Sequence, residues 1–154
     1  MALGAAVAAT VVAAIRGRLA RFEVVENSMQ PTLSPGDYIV AVATGQPRRG
    51  DIVVFPDPTR PDRDLVKRVI ALPEESVTID GGQVAIDGQI FAESWADGPT
   101  LPDGHWRNPP GTVFVLGDNR RLSSGDSRVV GPVRIESMHR AVFRYWPVGS
   151  IGRL

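Results

Sequence analysis

The sequence has no cysteine and only two histidines, and both shortages narrow the chemistry that the chain can perform. Without cysteine there is no disulfide, no thiol nucleophile and no cysteine-ligated metal. His105 and His139 lie far apart along the chain, whereas a zinc site needs three or four convergent ligands. We therefore expect no metal and no other cofactor, although a Ser-His-Asp triad stays open at this point.

An excess of charge of either sign is also absent. The 154 residues include 17 Lys plus Arg and 17 Asp plus Glu, so the formal net charge is zero. No basic block stands out, as a nucleic-acid-binding surface would require. The length suits one domain with a core of its own. We expect no nucleic-acid partner.

One long apolar run lies at the start of the chain. Residues 2–15 carry no charge, and Arg16, Arg18 and Arg21 follow them. A helix of this length reaches only about 21 Å, whereas the hydrocarbon core of a bilayer is about 30 Å thick. Ala, Val and Ile occupy every face, so we expect residues 1–21 to form a short apolar helix that contacts membrane lipid. An export signal, or a helix buried against the domain, is the alternative.

From residue 22 onward, short β-prone runs alternate with turn residues such as Asp80-Gly81-Gly82, which is typical of a tight hairpin. The pattern predicts a mainly β domain over residues 22–154, with a coiled antiparallel sheet or a barrel-like form. Residues 56–64 are among the predicted turns. The predicted strands are residues 22–25, 38–43, 51–55, 65–72, 76–79, 84–86, 112–116 and 140–146.

Residues 91–111 break this pattern because they are polar and rich in proline, with Trp95 and Trp106 among them. We predict a small surface excursion here rather than a part of the core. Residues 135–139 are predicted to form a short helical turn.

Ser28 opens the run Ser-Met-Gln-Pro-Thr-Leu. Pro31 fixes its own φ and favours an extended Gln30, which can hold a neighbouring side chain rigidly. A serine hydroxyl is a poor nucleophile until a base takes its proton. A serine in such a place is also a common turn residue, so its position alone does not establish catalysis.

Lys67 lies in the apolar strand predicted over residues 65–72. Both faces of this strand are largely apolar, so at least one of the two cations Lys67 and Arg68 must lie beside hydrophobic side chains. Burial lowers the pKa of a lysine, whereas an arginine does not lose its proton. Lys67 is therefore a candidate base, and a lysine that reaches out to solvent is the alternative.

A third run, Gly117-Asp-Asn-Arg, is followed by residues that could support such a base. Asp126 and Arg128 are two positions apart and could form an ion pair. Ser123, Ser124 and Ser127 offer hydroxyls that could orient an amine.

These runs together resemble the type I signal peptidase family, membrane-bound serine proteases that remove secretory signal peptides. The resemblance covers residues 22–154, and four motifs occur in the family's order, which makes it specific. The motifs are residues 28–33, 50–55, 67–73 and 117–128, the last followed by Gly131-Pro132-Val133.

The resemblance implies a role for each matching residue. Ser28 would be the nucleophile, with its backbone N–H as an oxyanion donor, and Lys67 the general base. Ser124 would orient the lysine amine, although an extra residue in this segment leaves Ser123 as an alternative. Asp126 and Arg128 would form a supporting ion pair. The residues that match substrate-binding positions are Phe22, Val24, Met29, Leu33, Leu65 and Val66.

The resemblance also implies a substrate and a location. Signal peptides of preproteins would add to the sheet as a β-strand and be cut after small residues in an Ala-x-Ala pattern. The catalytic domain would lie on the extracytoplasmic face of the cell membrane. The arginines after the apolar run oppose this orientation, because positive residues usually stay in the cytoplasm.

Glu26 departs from the family pattern, which has Gly or Ser two residues before the nucleophile. An ionised carboxylate cannot donate to an oxyanion and would repel it, unless it turns away or pairs elsewhere.

Three alternatives to a general signal peptidase follow. They are a maturation protease of the nickel superoxide dismutase type, a peptide-binding module without activity, and a self-cleaving repressor. The repressor would need a DNA-binding helix-turn-helix, for which residues 1–21 are too short and apolar.

Overall fold

Antiparallel β-strands dominate the computed structural model, which describes residues 19–154. The helical elements of this part are short: α1 (Ser127–Val130) and 3₁₀ turns at Asn27–Met29, Ile135–Ser137 and Val148–Ser150. The strands are β1 (Leu19–Glu23), β2 (Tyr38–Ala43), β3 (Ile52–Asp57), β4 (Arg60–Ala71), β5 (Ser76–Asp80), β6 (Gln83–Ile86), β7 (Gln89–Ile90), β8 (Gly104–Arg107), β9 (Thr112–Leu116), β10 (Val133–Arg134), β11 (His139–Trp146) and β12 (Gly152–Arg153).

The larger sheet runs in the order β1-β2-β11-β3-β4-β9-β10, with β12 paired to β11. The predicted mainly β, antiparallel class is confirmed, but the barrel-like form is wrong. Across residues 19–154, the outer strands β1 and β10 do not pair with each other. Because β10 has only two residues, it offers little edge on which the sheet could close.

The central strand β4 positions the site because hydrophobic side chains fill the sheet on both of its faces. Leu65 and Val69 pack into one buried cluster with Val53 and Val115. Val66 packs against a second cluster. Alternation therefore places Lys67, between Leu65 and Val69, on the face of the first cluster.

A second sheet runs in the order β7-β6-β5-β8, and only its strand β8 comes from the segment predicted as a surface excursion. Its strand β8 pairs with β5, and the ring of Trp106 lies 5.2 Å from that of Phe114, which is fully buried. The expectation that residues 91–111 stay outside the core is therefore wrong for Trp106. Phe91 and Trp106 both pack against the buried cluster that contains Phe114, so these two aromatic side chains of the segment contribute to the core.

The predicted turn over residues 56–64 is mostly strand. β3 and β4 continue to a tight hairpin in which Asp57 pairs with Arg60. The charged residues 60–64 show no apolar alternation, which is why the sequence pattern missed them.

The predicted apolar helix lies almost entirely outside the described residues. Its last residues, 19–21, belong to β1 rather than to a helix. In the described part, no helix is both long and apolar enough to cross a membrane.

Candidate active site

The side chains of Ser28 and Lys67 meet in the folded chain. Lys67 Nζ lies 2.7 Å from Ser28 Oγ, within hydrogen-bonding distance. Ser28 belongs to the 3₁₀ turn after β1, and Lys67 to the centre of β4. Both residues are buried, with 5% and 1% of their surface exposed. A neutral amine at this distance can accept the proton of the hydroxyl.

The turn that carries Ser28 is held from two sides. Met29 packs into the core beneath it, and its carbonyl accepts a hydrogen bond from the N–H of Leu33. On the other side, the N–H of Asn119 donates to the Ser28 carbonyl at 3.0 Å. Gly117 permits this approach, because a Cβ there would lie 2.6 Å from the same carbonyl oxygen. The third motif therefore fixes the backbone of the serine.

Burial lowers the pKa of Lys67 below its ordinary value of 10.5. The negative charges of Asp126 and Glu26 oppose this effect, and the positive charges of Arg63 and Arg128 reinforce it. Desolvation is the largest of these influences. It lowers the pKa because exclusion of water disfavours the charged ammonium. Lys67 is therefore easier to deprotonate than an exposed lysine.

The other cation of β4, Arg68, has a carboxylate partner of its own. Its Nε and Nη2 donate to Asp118 at 2.8 and 2.6 Å, and Thr32 donates to the same carboxylate at 2.5 Å. The guanidinium also lies 4.6 Å from the ring centre of Trp95. Among the residues described, no ion pair of this kind forms at Lys67. The two adjacent basic residues thus differ in their surroundings: Arg68 forms an ion pair with Asp118, whereas Lys67 forms none within residues 19–154 and desolvation is the largest influence on its pKa.

Asp126 organises the segment behind the lysine. Its carboxylate accepts from Ser123 Oγ at 2.6 Å and from the N–H of Gly117 at 3.2 Å. Arg128 Nε and Nη2 donate to it at 2.9 and 2.8 Å. The carboxylate also caps the N-terminus of α1. This network ties the third motif into one rigid unit.

The structure separates the two serines that the sequence left open. Ser123 is buried and bonded to Asp126, whereas Ser124 is exposed. Ser127 is also buried, but its hydroxyl accepts from the N–H of Val115. Because Ser124 is exposed and the amine of Lys67 is buried, the burial pattern favours Ser123 over Ser124 for the supporting position. Ser123 and Ser28 both lie against Gly117, since a Cβ there would lie 2.2 Å from the Ser123 hydroxyl and 2.6 Å from the Ser28 carbonyl oxygen.

A cleft of about 220 Å³ opens beside Ser28 and Lys67. It brings together four of the six residues that the resemblance assigned to substrate binding. Phe22 and Leu33 do not line it; they lie in the cluster beneath. The predicted residues in its lining are Val24, Met29, Leu65 and Val66.

Glu26 turns away from the serine and forms an ion pair with Arg63 of β4. Both side chains are partly exposed at the cleft. Of the possibilities raised by the sequence, pairing elsewhere is the one that the structure shows. The carboxylate was the main argument for a module without activity, and its pairing weakens that argument.

The histidines do not approach the serine. His105 Nδ1 lies 3.0 Å from the hydroxyl of Thr78 in the second sheet, and the His139 ring packs edge-on against Phe22. Neither lines the cleft. The basic side chain in contact with Ser28 is therefore a lysine and not a histidine.

Sequence reasoning missed Arg63 and left one signal for Lys67 unused. Arg63 gave no signal, because its partner is distant in sequence and meets it only in the fold. A signal for Lys67 was available, since it is the only lysine of the chain. All other Lys or Arg positions are arginines, which do not lose their proton in proteins, so Lys67 is the one side chain of this group that can act as a base.

Comparison with known proteins gives a consistent result. Residues 1–146 match the family described as signal peptidase, peptidase S26. Signal peptidase I of Leptolyngbya laminosa is 40% identical, over 83% of this chain and 69% of that protein. Signal peptidase I of Bacillus caldolyticus is 38% identical, over 92% and 87%.

A solved structure supports the same assignment. The crystal structure of a signal peptidase I from Enterococcus faecalis aligns with a TM-score of 0.56 and 30% identity, covering 63% of this chain and 97% of that one. With the serine–lysine site, these matches show that the chain belongs to the signal peptidase I family of serine endopeptidases, peptidase S26.

Proposed function

We propose that the protein removes N-terminal signal peptides from exported preproteins, with Ser28 as nucleophile and Lys67 as general base. The observation that carries this proposal is the 2.7 Å contact between a buried hydroxyl and a buried amine. The lowered pKa of Lys67 supports it, because only the neutral amine can accept the serine proton.

The reaction follows from this geometry in two stages. As Ser28 Oγ attacks the scissile carbonyl carbon, its proton passes to Lys67 Nζ, which then delivers it to the leaving amine. The resulting ester is hydrolysed by a water whose proton Lys67 takes in the same way.

The Ser28 N–H lies in the first turn of a 3₁₀ segment, where N–H groups have no partner within the turn. It is therefore suited to stabilise the oxyanion.

The substrate is proposed to bind as an added strand along β4. Residues 68–71 of β4 pair with β9, whereas residues 64–66 pair only with β3 in the described part of the chain. One edge is thus free beside the cleft, and an extended peptide can add to it. Cleavage after small residues, in the Ala-x-Ala pattern, is proposed from the family resemblance.

We propose further that the enzyme acts at the cell membrane, with its catalytic domain on the extracytoplasmic face. The uncharged residues 2–15 support membrane contact. Cell fractionation tests the association, and protease digestion of intact spheroplasts tests the orientation. Recovery of the full chain in the soluble fraction, or full protection in spheroplasts, would contradict this part.

Incubation of the detergent-solubilised protein with a panel of preproteins tests the activity. Ser28→Ala and Lys67→Ala should abolish cleavage, and the exposed Ser137→Ala serves as the matched serine control. Cleavage that survives either dyad substitution would refute the mechanism. Failure of the intact protein on every preprotein would favour a peptide-binding module or a protease dedicated to one other substrate.

A further inference from the structure

The ion pair between Glu26 and Arg63 joins the two walls of the cleft. Glu26 lies two residues before the nucleophile, and Arg63 lies in the strand that carries the base. Both line the cleft, with 48% and 30% of their side chains exposed. The pair therefore lies at the mouth of the site.

Glu26 occupies the position just before the 3₁₀ turn, where a side-chain oxygen commonly accepts from the N–H groups of the turn. Its backbone is extended, as in such a cap, but its side chain makes no capping bond. The N–H of Ser28 is the second in the turn and within the usual reach of a capping oxygen. A carboxylate bonded there would occupy the proposed oxyanion donor and repel the developing negative charge.

We propose that Arg63 is a positioning residue, whose ion pair holds the Glu26 carboxylate away from the Ser28 N–H and keeps that donor free for the oxyanion. The catalytic consequence rests on the proposed function above. Arg63 does not touch the reacting atoms and acts only through Glu26. With this ion pair, an acidic residue can lie two positions before the nucleophile without blocking the oxyanion donor.

Arg63 also affects a second measurable property, the pKa of Lys67. Glu26 and Asp126 raise the pKa of Lys67, whereas Arg63 and Arg128 lower it. Removal of Arg63 takes away a positive charge and leaves the Glu26 charge unpaired, and both changes raise the pKa of Lys67. Removal of Glu26 has the opposite effect.

The test compares Arg63→Gln, Glu26→Gln and the double variant, with Arg60→Gln as control. Arg60 lies in the same strand and pairs with Asp57, with 62% of its side chain exposed. Because loss of one oxyanion donor costs about 100-fold or more in kcat, we expect Arg63→Gln to lower kcat by at least ~10-fold with KM changed little. The acid limb of its pH–rate profile should move to higher pH.

The double variant and a further variant, Arg63→Lys, show whether Arg63 acts through its charge and through Glu26. The double variant should recover kcat to within about threefold of Glu26→Gln, because the carboxylate that Arg63 restrains is gone. Arg63→Lys keeps the positive charge and should retain most of the activity. The control Arg60→Gln should match the intact enzyme.

A second readout separates this inference from the proposed function. With ¹⁵N-labelled lysine, the single lysine gives one side-chain signal whose titration reports Lys67 directly. Its midpoint should rise in Arg63→Gln, fall in Glu26→Gln and return towards the intact value in the double variant. If no preprotein is cut, the proposed function fails, and these titrations alone decide the inference.

Either of two results overturns the inference. The first is Arg63→Gln with the kcat and the lysine titration of the intact protein. The second is a double variant as slow as Arg63→Gln, or with its lysine midpoint still raised, which would mean that Arg63 does not act through Glu26.

Discussion

Burial of Lys67 makes the stability of the protein depend on pH in a predictable direction. The pKa of Lys67 in the folded chain lies below 10.5, the ordinary value expected after unfolding. Between these two values the unfolded chain binds more protons than the folded one. The free energy of unfolding therefore rises with pH across that window, and the cost of burying the ammonium is fully present below it.

The size of the effect follows from a single proton. A difference of one bound proton changes the free energy of unfolding by up to about 1.4 kcal/mol per pH unit. Lys67→Met keeps a long side chain in the same space but removes the charge. The variant should be more stable than the intact protein at low pH, and its advantage should shrink as the pH approaches 10.5. Loss of the hydrogen bond to Ser28 subtracts about 1 kcal/mol.

Urea unfolding of both proteins at several pH values from about 6 to 9.5 measures this difference. Titrations shared by the two proteins cancel when one curve is subtracted from the other, so the remaining slope belongs to Lys67. Parallel curves would show that the pKa of Lys67 is the same in the folded and unfolded chain. An advantage of the variant that grows with pH would show that folding raises the pKa, and either result refutes the reasoning.

Three further predictions concern the third motif. Gly117→Ala would place a Cβ 2.2 Å from the Ser123 hydroxyl, and should cost about 1–3 kcal/mol by urea unfolding; Gly149→Ala, with open space around it, is the control. Asp118→Asn leaves its buried arginine partner without a countercharge and should cost about 3–5 kcal/mol in the same assay. Ser123→Ala should lower kcat, whereas the exposed Ser124→Ala should not.

Each of these predictions can fail in a defined way. Equal stability of the two glycine variants would mean that the motif has room at position 117. A drop below about 1 kcal/mol for Asp118→Asn, the range of an exposed pair, would mean that the ion pair is not buried in solution. A kcat that falls only in Ser124→Ala would return the supporting role to that residue.

The sequence predicts the strands of this fold where hydrophobicity alone defines them. Residues 38–43 and 113–116 are continuously hydrophobic, and the strands over residues 38–43 and 112–116 have the predicted bounds. β8 was missed because Gly, His, Trp and Arg give no alternation, and it forms only by pairing with β5. The charged start of β4 likewise depends on its hairpin partner.

In the candidate site, too, some residues can be predicted from the sequence and others only from the fold. Ser28 and Lys67 lie in motifs that the sequence displays directly, and the fold brings them together. Ser123 and Ser124 differ by one position, and only the folded segment decides which is buried. Arg63 could not be predicted because its importance arises from a partner across the cleft.

Titration of the single lysine tests the central claim most directly, since the claim is that Lys67 is a buried, easily deprotonated amine beside Ser28. In protein labelled with ¹⁵N-lysine, one side-chain signal is followed from acidic to strongly alkaline pH. We predict that the titration midpoint of Lys67 lies clearly below 10.5 in the folded protein and returns to about 10.5 in the urea-unfolded chain. A midpoint at or above 10.5 in the folded protein would contradict the role of Lys67 as general base.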